Sequence, residues 1–284
     1  MSARVLDGNL VAAAVKEEVA QEVLKLKTRG IVPGLGTILV GDDPSSSKYV
    51  AMKHRDCEEV GIVSHHRHLS ANSTFDSLLD VIASFNDNVE VDSILLQLPI
   101  PKHLNQLEAL LAIDPQKDVD GLHPVNLGKL VMSEEAPLPC TPAGIVRLLA
   151  HYEIEVEGRH VVVVGRGLTI GRPLALLLAS KRPDCNATVT VCHTGSKDMA
   201  SVVREGDVVV AAAGVANLID ASMIKGGAVV VGAGTPFVNG KLASDVADDV
   251  AEVASAVTPR VGGVGPMTRA MLLKNTVSAA QKRH

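Results

Sequence analysis

The chain has no tryptophan, and only two tyrosines and three phenylalanines among its 284 residues. Its core must therefore be assembled from valine, leucine, isoleucine and alanine. It also lacks an excess of positive charge. The formal net charge is −5, which argues against a general nucleic-acid surface. There are four cysteines, Cys57, Cys140, Cys185 and Cys192, and no C-x-x-C pair among them, so they read as free thiols in a reducing compartment. No secretory pattern follows Met1. No apolar run is longer than Val208 to Ala213, which is too short to cross a bilayer. Together these absences point to a cytoplasmic protein without a membrane partner. Hydrophobic content of 46% and charged content of 21% are those of a globular chain.

The clearest positive signal is His160 to Pro173, HVVVVGRGLTIGRP. Four valines end in a glycine turn, and a leucine-rich helical run follows. This is a buried parallel strand feeding a helix N-terminus, the arrangement that holds a dinucleotide pyrophosphate. Gly165, Gly167 and Gly171 are spaced G-x-G-x-x-x-G, one residue longer than the commonest fingerprint. A second strand, Thr188 to Cys192, ends in His193-Thr194-Gly195-Ser196 with no acid to hold a ribose 2′-hydroxyl. Arg166 lies inside the turn, with Arg172 and Lys197 nearby, and such cations can pair with a 2′-phosphate. NADP is therefore expected rather than NAD.

Upstream, the spacing predicts helices over 8–29, 45–60, 73–85 and 104–111 and strands over 35–40, 62–69 and 91–98. This alternation of strand and helix argues for a parallel α/β unit. Pro137, Pro139 and Pro142 cluster at the junction with the second unit, which continues through strands over 207–212 and 228–231. Val264-Gly265-Pro266 opens the last helix, expected over 268–282. Residues 1–138 with the C-terminal helix 266–284 read as one α/β domain, and 139–265 as a Rossmann-type domain, with the active-site cleft expected between them.

Within the first domain Tyr49 and Lys53 are spaced i, i+4 on one helical face. Gln97 offers a neutral amide at a strand's carboxyl end, where α/β sites are built. Asp120 lies in an acid-bearing loop just before Gly121. Strand alternation sends His66 and His68 to one face and His65 to the other, so the three read as a solvated strand rather than a metal site. Cys140 reads as a structural thiol.

The chain resembles the bifunctional methylenetetrahydrofolate dehydrogenase / methenyltetrahydrofolate cyclohydrolase family. The resemblance rests on residues 40–53 (VGDDPSSSKYVAMK), 97–101 (QLPIP), 117–126 (KDVDGLHPVN), 139–142 (PCTP), the glycine turn, and 262–268 (GGVGPMT). These occur in family order over nearly the whole chain. The resemblance implies oxidation of 5,10-methylenetetrahydrofolate by NADP, then hydrolysis of the methenyl cation to 10-formyltetrahydrofolate. It implies that Lys53 shuttles the proton, Gln97 hydrogen-bonds Lys53, Tyr49 stacks on the folate ring system and Asp120 accepts from the pterin edge. Leu98, Pro99, Gly262 and Gly263 would line the folate pocket. Gly165, Arg166, Gly167, Gly171, Thr194 and Gly234 would hold the cofactor. It also implies a homodimer formed through the cofactor domains. The chain departs from the family pattern at Gly167, where Ser is frequent, at Val231, where Asp is usual, at Ser244, where Gly is usual, and at Val261, where Pro is usual. Two rival readings are a cyclohydrolase alone and an inactive folate- or nucleotide-binding protein.

Overall fold

The computed structural model describes residues 3–238 and 241–284; the start at Met1 and Ser2 lies outside the described residues. The chain divides into two units. One comprises Ala13–Cys140 with Arg269–His284, the other the residues up to Ala12 with Thr141–Thr268. The first dozen residues thus belong with the dinucleotide-type unit, whereas the sequence pattern assigns them to the first domain. The reason is a short edge strand, β1 (Arg4–Val5), which carries no periodic signal of its own.

Helix α1 (Gly8–Thr28) starts in that unit and continues into the other. There the chain builds a three-stranded parallel sheet from β2 (Gly34–Val40), β3 (Val63–Leu69) and β4 (Ser93–Leu96), in the order β3-β2-β4. All seven residues of the central β2 are buried, as a strand paired on both edges and covered on both faces requires. Helix α2 (Pro44–Val60) follows β2. Its start is fixed by Asp43, which accepts from the Ser46 N–H at 2.8 Å, and by Pro44 in the first turn. Gly61, at φ +81°, ends it in the left-handed region. Helix α3 (Phe75–Asp87) is capped by Thr74 and buries Leu78, Ile82 and Phe85. Helix α4 (Gln106–Leu111) is capped by Asn105.

The acid loop then leads into α5 (Pro124–Val131), a helix the sequence pattern does not announce. His123 caps it through the Val125 N–H. Lys117 is 2% exposed, and its ammonium donates to the carbonyls of Phe85, Asn86 and Asn88. Asp118 accepts from the His123 N–H and from Asn126 Nδ2. Two of the loop's charges are therefore spent on shaping it.

The second unit begins at α6 (Cys140–His151) and runs through β5 (His160–Val164), α7 (Gly171–Ala179), β6 (Thr188–Cys192), α8 (Met199–Arg204), β7 (Val208–Ala211) and β8 (Val229–Gly232). A small antiparallel hairpin, β9 (Phe237–Val238) with β10 (Lys241–Leu242), precedes β11 (Ala256–Val257), and α9 (Val264–Arg283) closes the chain. The sheet has six strands, all parallel, in the order β1-β11-β8-β7-β5-β6. One face buries Val162, Val164, Val209, Ala211 and Val230 in a common apolar cluster. Val231 is fully buried in β8, so the family's usual acid is replaced by an ordinary interior residue of a parallel strand.

Candidate active site

Helix α2 presents Tyr49 and Lys53 one turn apart, as the i, i+4 spacing requires. The Lys53 ammonium lies 4.7 Å from the centre of the Tyr49 ring, a cation–π distance. Lys53 is only 4% exposed and donates to Gln97 Oε1 at 3.0 Å. The Gln97 amide is held in turn, its Nε2 donating to the Leu98 carbonyl at 2.7 Å and its backbone N–H to the Ile38 carbonyl at 2.9 Å. That orientation leaves its oxygen for the amine. Pro99 follows through a cis peptide bond and is exposed, while Leu98 is half-buried.

Burial pushes the Lys53 amine below its ordinary value, because a charged ammonium loses its hydration there. Asp120 opposes this and Arg269 reinforces it. Asp120 itself is pushed up by burial and held back by Lys53. Cys140, 3% exposed, has its thiol pushed well above the usual range, chiefly by burial and then by the nearby Asp120 charge. Cys57, on α2 one turn beyond Lys53, is pushed up to about 12 by burial. Both thiols are therefore neutral near pH 7 and add no charge beside the amine.

The structure brings Tyr49, Lys53, Gln97 and Asp120 together in one unit and adds Cys140, whose nearness to Asp120 is not readable from the sequence. The only hint is its place in Pro139-Cys140-Thr141-Pro142. Cys140 is tied to the acid loop through the Val119 carbonyl, to which Asn275 also donates. All four cysteines are free thiols. Gly262 and Gly263 lie in the other unit. Gly262, at φ +86°, has its carbonyl taken by the N–H groups of Gly8 and Asn9. A Cβ there would meet Asn9 Nδ2 at 2.2 Å. Val261 is 72% exposed beside it.

The glycine turn after β5 explains two of its three glycines by close approach. A Cβ on Gly165 would lie 2.3 Å from the Ala212 carbonyl oxygen, and Gly165 has φ +117°. A Cβ on Gly171 would lie 2.2 Å from the Gly165 oxygen. Gly167 meets nothing within 4 Å, so its lack of a side chain leaves space rather than relieving a clash. Ile170, at the start of α7, offers no side-chain cap. Arg172 donates its N–H to the Gly167 carbonyl, Leu174 donates to Ile170 and Pro173 has none, so among the described residues the Gly171 N–H is the first-turn donor left for another acceptor. This cradle, which a Cβ would fill, fits a dinucleotide pyrophosphate.

Arg166, Arg172, Thr194 and Lys197 are exposed around the ends of β5 and β6. Gly234 is required by Asp245, whose carboxylate would lie 1.9 Å from a Cβ there. Asp245 is fully buried and accepts from the N–H groups of Ala213, Gly214 and Val215 at 2.7, 3.1 and 2.8 Å. It fixes the loop after β7, a role the sequence does not disclose. Ser244 serves the same turn, accepting from the Val246 N–H at 3.1 Å.

On β3, His66 turns toward α2, its ring 4.8 Å from that of His54 and 6.3 Å from that of His68. Among the described residues no group of three or more His, Cys, Asp or Glu side chains is placed to hold a metal ion. No helix among them is long and apolar enough to cross a membrane.

Residues 6–120 match the family model for the catalytic domain of tetrahydrofolate dehydrogenase/cyclohydrolase, and residues 139–284 match that for its NAD(P)-binding domain. The bifunctional protein FolD of Syntrophotalea carbinolica is 53% identical over 283 residues, covering 100% of this chain and 98% of the relative. The crystal structure of the bifunctional FolD enzyme from Campylobacter jejuni superposes with a TM-score of 0.95 at 43% identity, covering 100% of both chains. That of the Trypanosoma brucei enzyme, solved with NADP cofactor and an inhibitor, gives 0.94 at 40% identity, covering 100% of this chain and 99% of the other. With both family models matched in order along its length, the chain belongs to the tetrahydrofolate dehydrogenase/cyclohydrolase family.

Proposed function

We propose that this chain oxidises 5,10-methylenetetrahydrofolate with NADP and hydrolyses the resulting 5,10-methenyl cation to 10-formyltetrahydrofolate. The observation that carries the reading is the buried Lys53 amine, held by the neutral Gln97 and backed by Tyr49 and Asp120, in a chain whose second unit offers a glycine cradle.

NADP, when bound, would supply the acceptor for the hydride that leaves the methylene carbon. Gly165 and Gly171, with the Gly171 N–H at the start of α7, would hold its pyrophosphate, and Arg166 with Thr194 would hold the 2′-phosphate. Gly167 leaves room for the rest of the dinucleotide, while Gly234 lets its loop close onto Asp245. The absence of an acid after β6 favours NADP over NAD. The folate nitrogen lone pair drives hydride departure, so this step asks for orientation more than for an acid or base. Tyr49 supplies the stacking face, and Asp120 accepts from the pterin edge. Leu98 and Pro99 complete the folate contacts within the first unit.

Hydrolysis asks more of Lys53. Its neutral amine takes a proton from water as the oxygen bonds to the methenyl carbon, giving a neutral tetrahedral adduct. The ammonium then returns that proton to N5 as the C–N5 bond breaks, and the hydroxyl proton leaves to solvent as the formyl group forms. A lysine can do this near neutral pH only if its pKa is lowered, and burial and the cationic substrate both act that way. Gln97 holds the amine without adding a negative charge.

The test is a paired assay, NADPH formation from methylenetetrahydrofolate and loss of methenyltetrahydrofolate, run with NADP and with NAD. Both activities, with NADP preferred, are the expected result. Hydrolysis without NADPH formation would leave a cyclohydrolase alone, and loss of both with folate still bound would leave a binding protein. We further propose a homodimer formed through the cofactor unit, supported by the edge position of β6 and tested by light scattering. The four free thiols support a cytoplasmic setting.

A further inference from the structure

Arg269 lies on α9 with its side chain only 16% exposed, against Asp56 on α2, 11% exposed. Its Nε is 2.7 Å from Asp56 Oδ2. The two atoms meet off the N–H direction and neither makes an aligned hydrogen bond, so charge holds them. The other end of the guanidinium, Nη1, reaches Met52 Sδ at 3.4 Å. Asp56 Oδ1 is also 3.3 Å from the ammonium of Lys16 on α1, which in turn meets Glu59. Met52 immediately precedes Lys53, and Asp56 lies three residues beyond it. Arg269 therefore touches the α2 turn that carries the amine on both sides of it.

We propose that Arg269 is a positioning residue for Lys53, bracing that turn of α2 and placing a fixed positive charge behind the amine. The inference rests on the hydrolytic role of Lys53 given above. The mostly buried guanidinium cannot shed its charge, since arginine stays protonated at any working pH. A like charge nearby disfavours the ammonium and favours the neutral amine. The other groups facing Lys53 do not substitute for it. Tyr49 and Gln97 are neutral, His54 is pushed down chiefly by burial and so is uncharged near neutral pH, the thiols of Cys57 and Cys140 are protonated, and Asp120 acts in the opposite sense. Asp56 and Lys16 hold the guanidinium in place, and Asp56 offsets the cost of burying it.

The experiment compares Arg269→Met and Arg269→Lys in the full chain. It reads the pH profile of methenyltetrahydrofolate hydrolysis, and the titration of the Lys53 side chain by NMR in the ligand-free protein. In Arg269→Met the acid limb of kcat and the Lys53 titration should both move to higher pH by about half a unit or more, so that hydrolysis below the limb falls roughly threefold. KM should change little. Arg269→Lys, which keeps the charge, should bring the limb back toward its original position. A folded Arg269→Met whose limb and Lys53 titration coincide with those of the unaltered protein would overturn the proposal, as would an Arg269→Lys variant shifted as far as Arg269→Met. If Arg269→Met does not fold, Asp56→Asn serves. It keeps the guanidinium and removes its counter-charge, so the limb should stay or move to lower pH, and a move to higher pH would overturn the proposal. The NMR titration needs no turnover. Failure of the unaltered protein to hydrolyse the methenyl compound would therefore count against the assigned function and leave the effect of Arg269 on Lys53 separately measurable.

Discussion

Lys53 Nζ and Gln97 Oε1 are 3.0 Å apart, with the Gln97 amide turned by its own bond to the Leu98 carbonyl. A neutral acceptor in that place holds the amine without the full negative charge that would strongly favour the ammonium. Replacing it by a carboxylate in Gln97→Glu should raise the Lys53 pKa by about 1–3 units, the usual effect of an opposite charge at this range. The protonated form is then kept to higher pH, and the base is lost as pH falls through the raised value. Hydrolysis at neutral pH should drop roughly tenfold or more, with activity recovering on the alkaline side. A profile that does not move would show that Gln97 does not govern the amine.

Lys53→Met removes the amine and keeps much of the apolar stem. Hydrolysis should fall by roughly 10²–10⁴, the usual worth of a positioned acid–base group, while folate binding stays measurable by fluorescence or calorimetry. Unchanged hydrolysis would refute the role given to Lys53.

Gly165 and Gly167 should respond differently to substitution, although both belong to the same motif. Gly165→Ala drives a methyl group into the Ala212 carbonyl from a left-handed backbone and should destabilise the chain by about 1–3 kcal/mol and weaken NADP binding. Gly167→Ser places its side chain in open space and should change stability by no more than about 0.5 kcal/mol. Thermal unfolding of the two variants decides the matter, and equal losses would contradict the assignment.

Arg166→Ala should raise KM for NADP roughly 10–100-fold, the worth of a charge-assisted hydrogen bond, and leave KM for NAD nearly unchanged. An equal effect on both would place Arg166 away from the 2′-phosphate.

Asp245→Ala strands three backbone N–H donors around a buried carboxylate site. A loss of about 3–5 kcal/mol in denaturant unfolding is expected. A loss below about 1 kcal/mol would mean the loop is held by other means.

Local signals carry the fold a long way. The valine run of β5, the glycine turn and the alternating pattern upstream each specify the element that forms. The Tyr49/Lys53 spacing implies the shared face directly. What the sequence hides depends on distant partners. β1 and β11 are two residues each and exist because they pair with neighbours, not because of a pattern. α5 is short and starts at a proline in a loop rich in acids. Asp245 reads like any surface acid, yet three N–H groups from a loop thirty or so residues earlier converge on it. Arg269 is invisible as a neighbour of α2 because nothing in a helix sequence says which distant helix it will meet. Cys140, read as structural, is buried and inert in its own chemistry, yet it stands against Asp120.

The route of the chain through its two units has a consequence for synthesis. β1 precedes its pairing partner β11 by some 250 residues in the chain. The second unit's sheet therefore cannot acquire its outer edge until β11 has been made. The first unit in turn waits for the end of α9. Neither unit can be cut from the gene as one uninterrupted segment, so a fragment ending near the middle would carry pieces of both and complete neither.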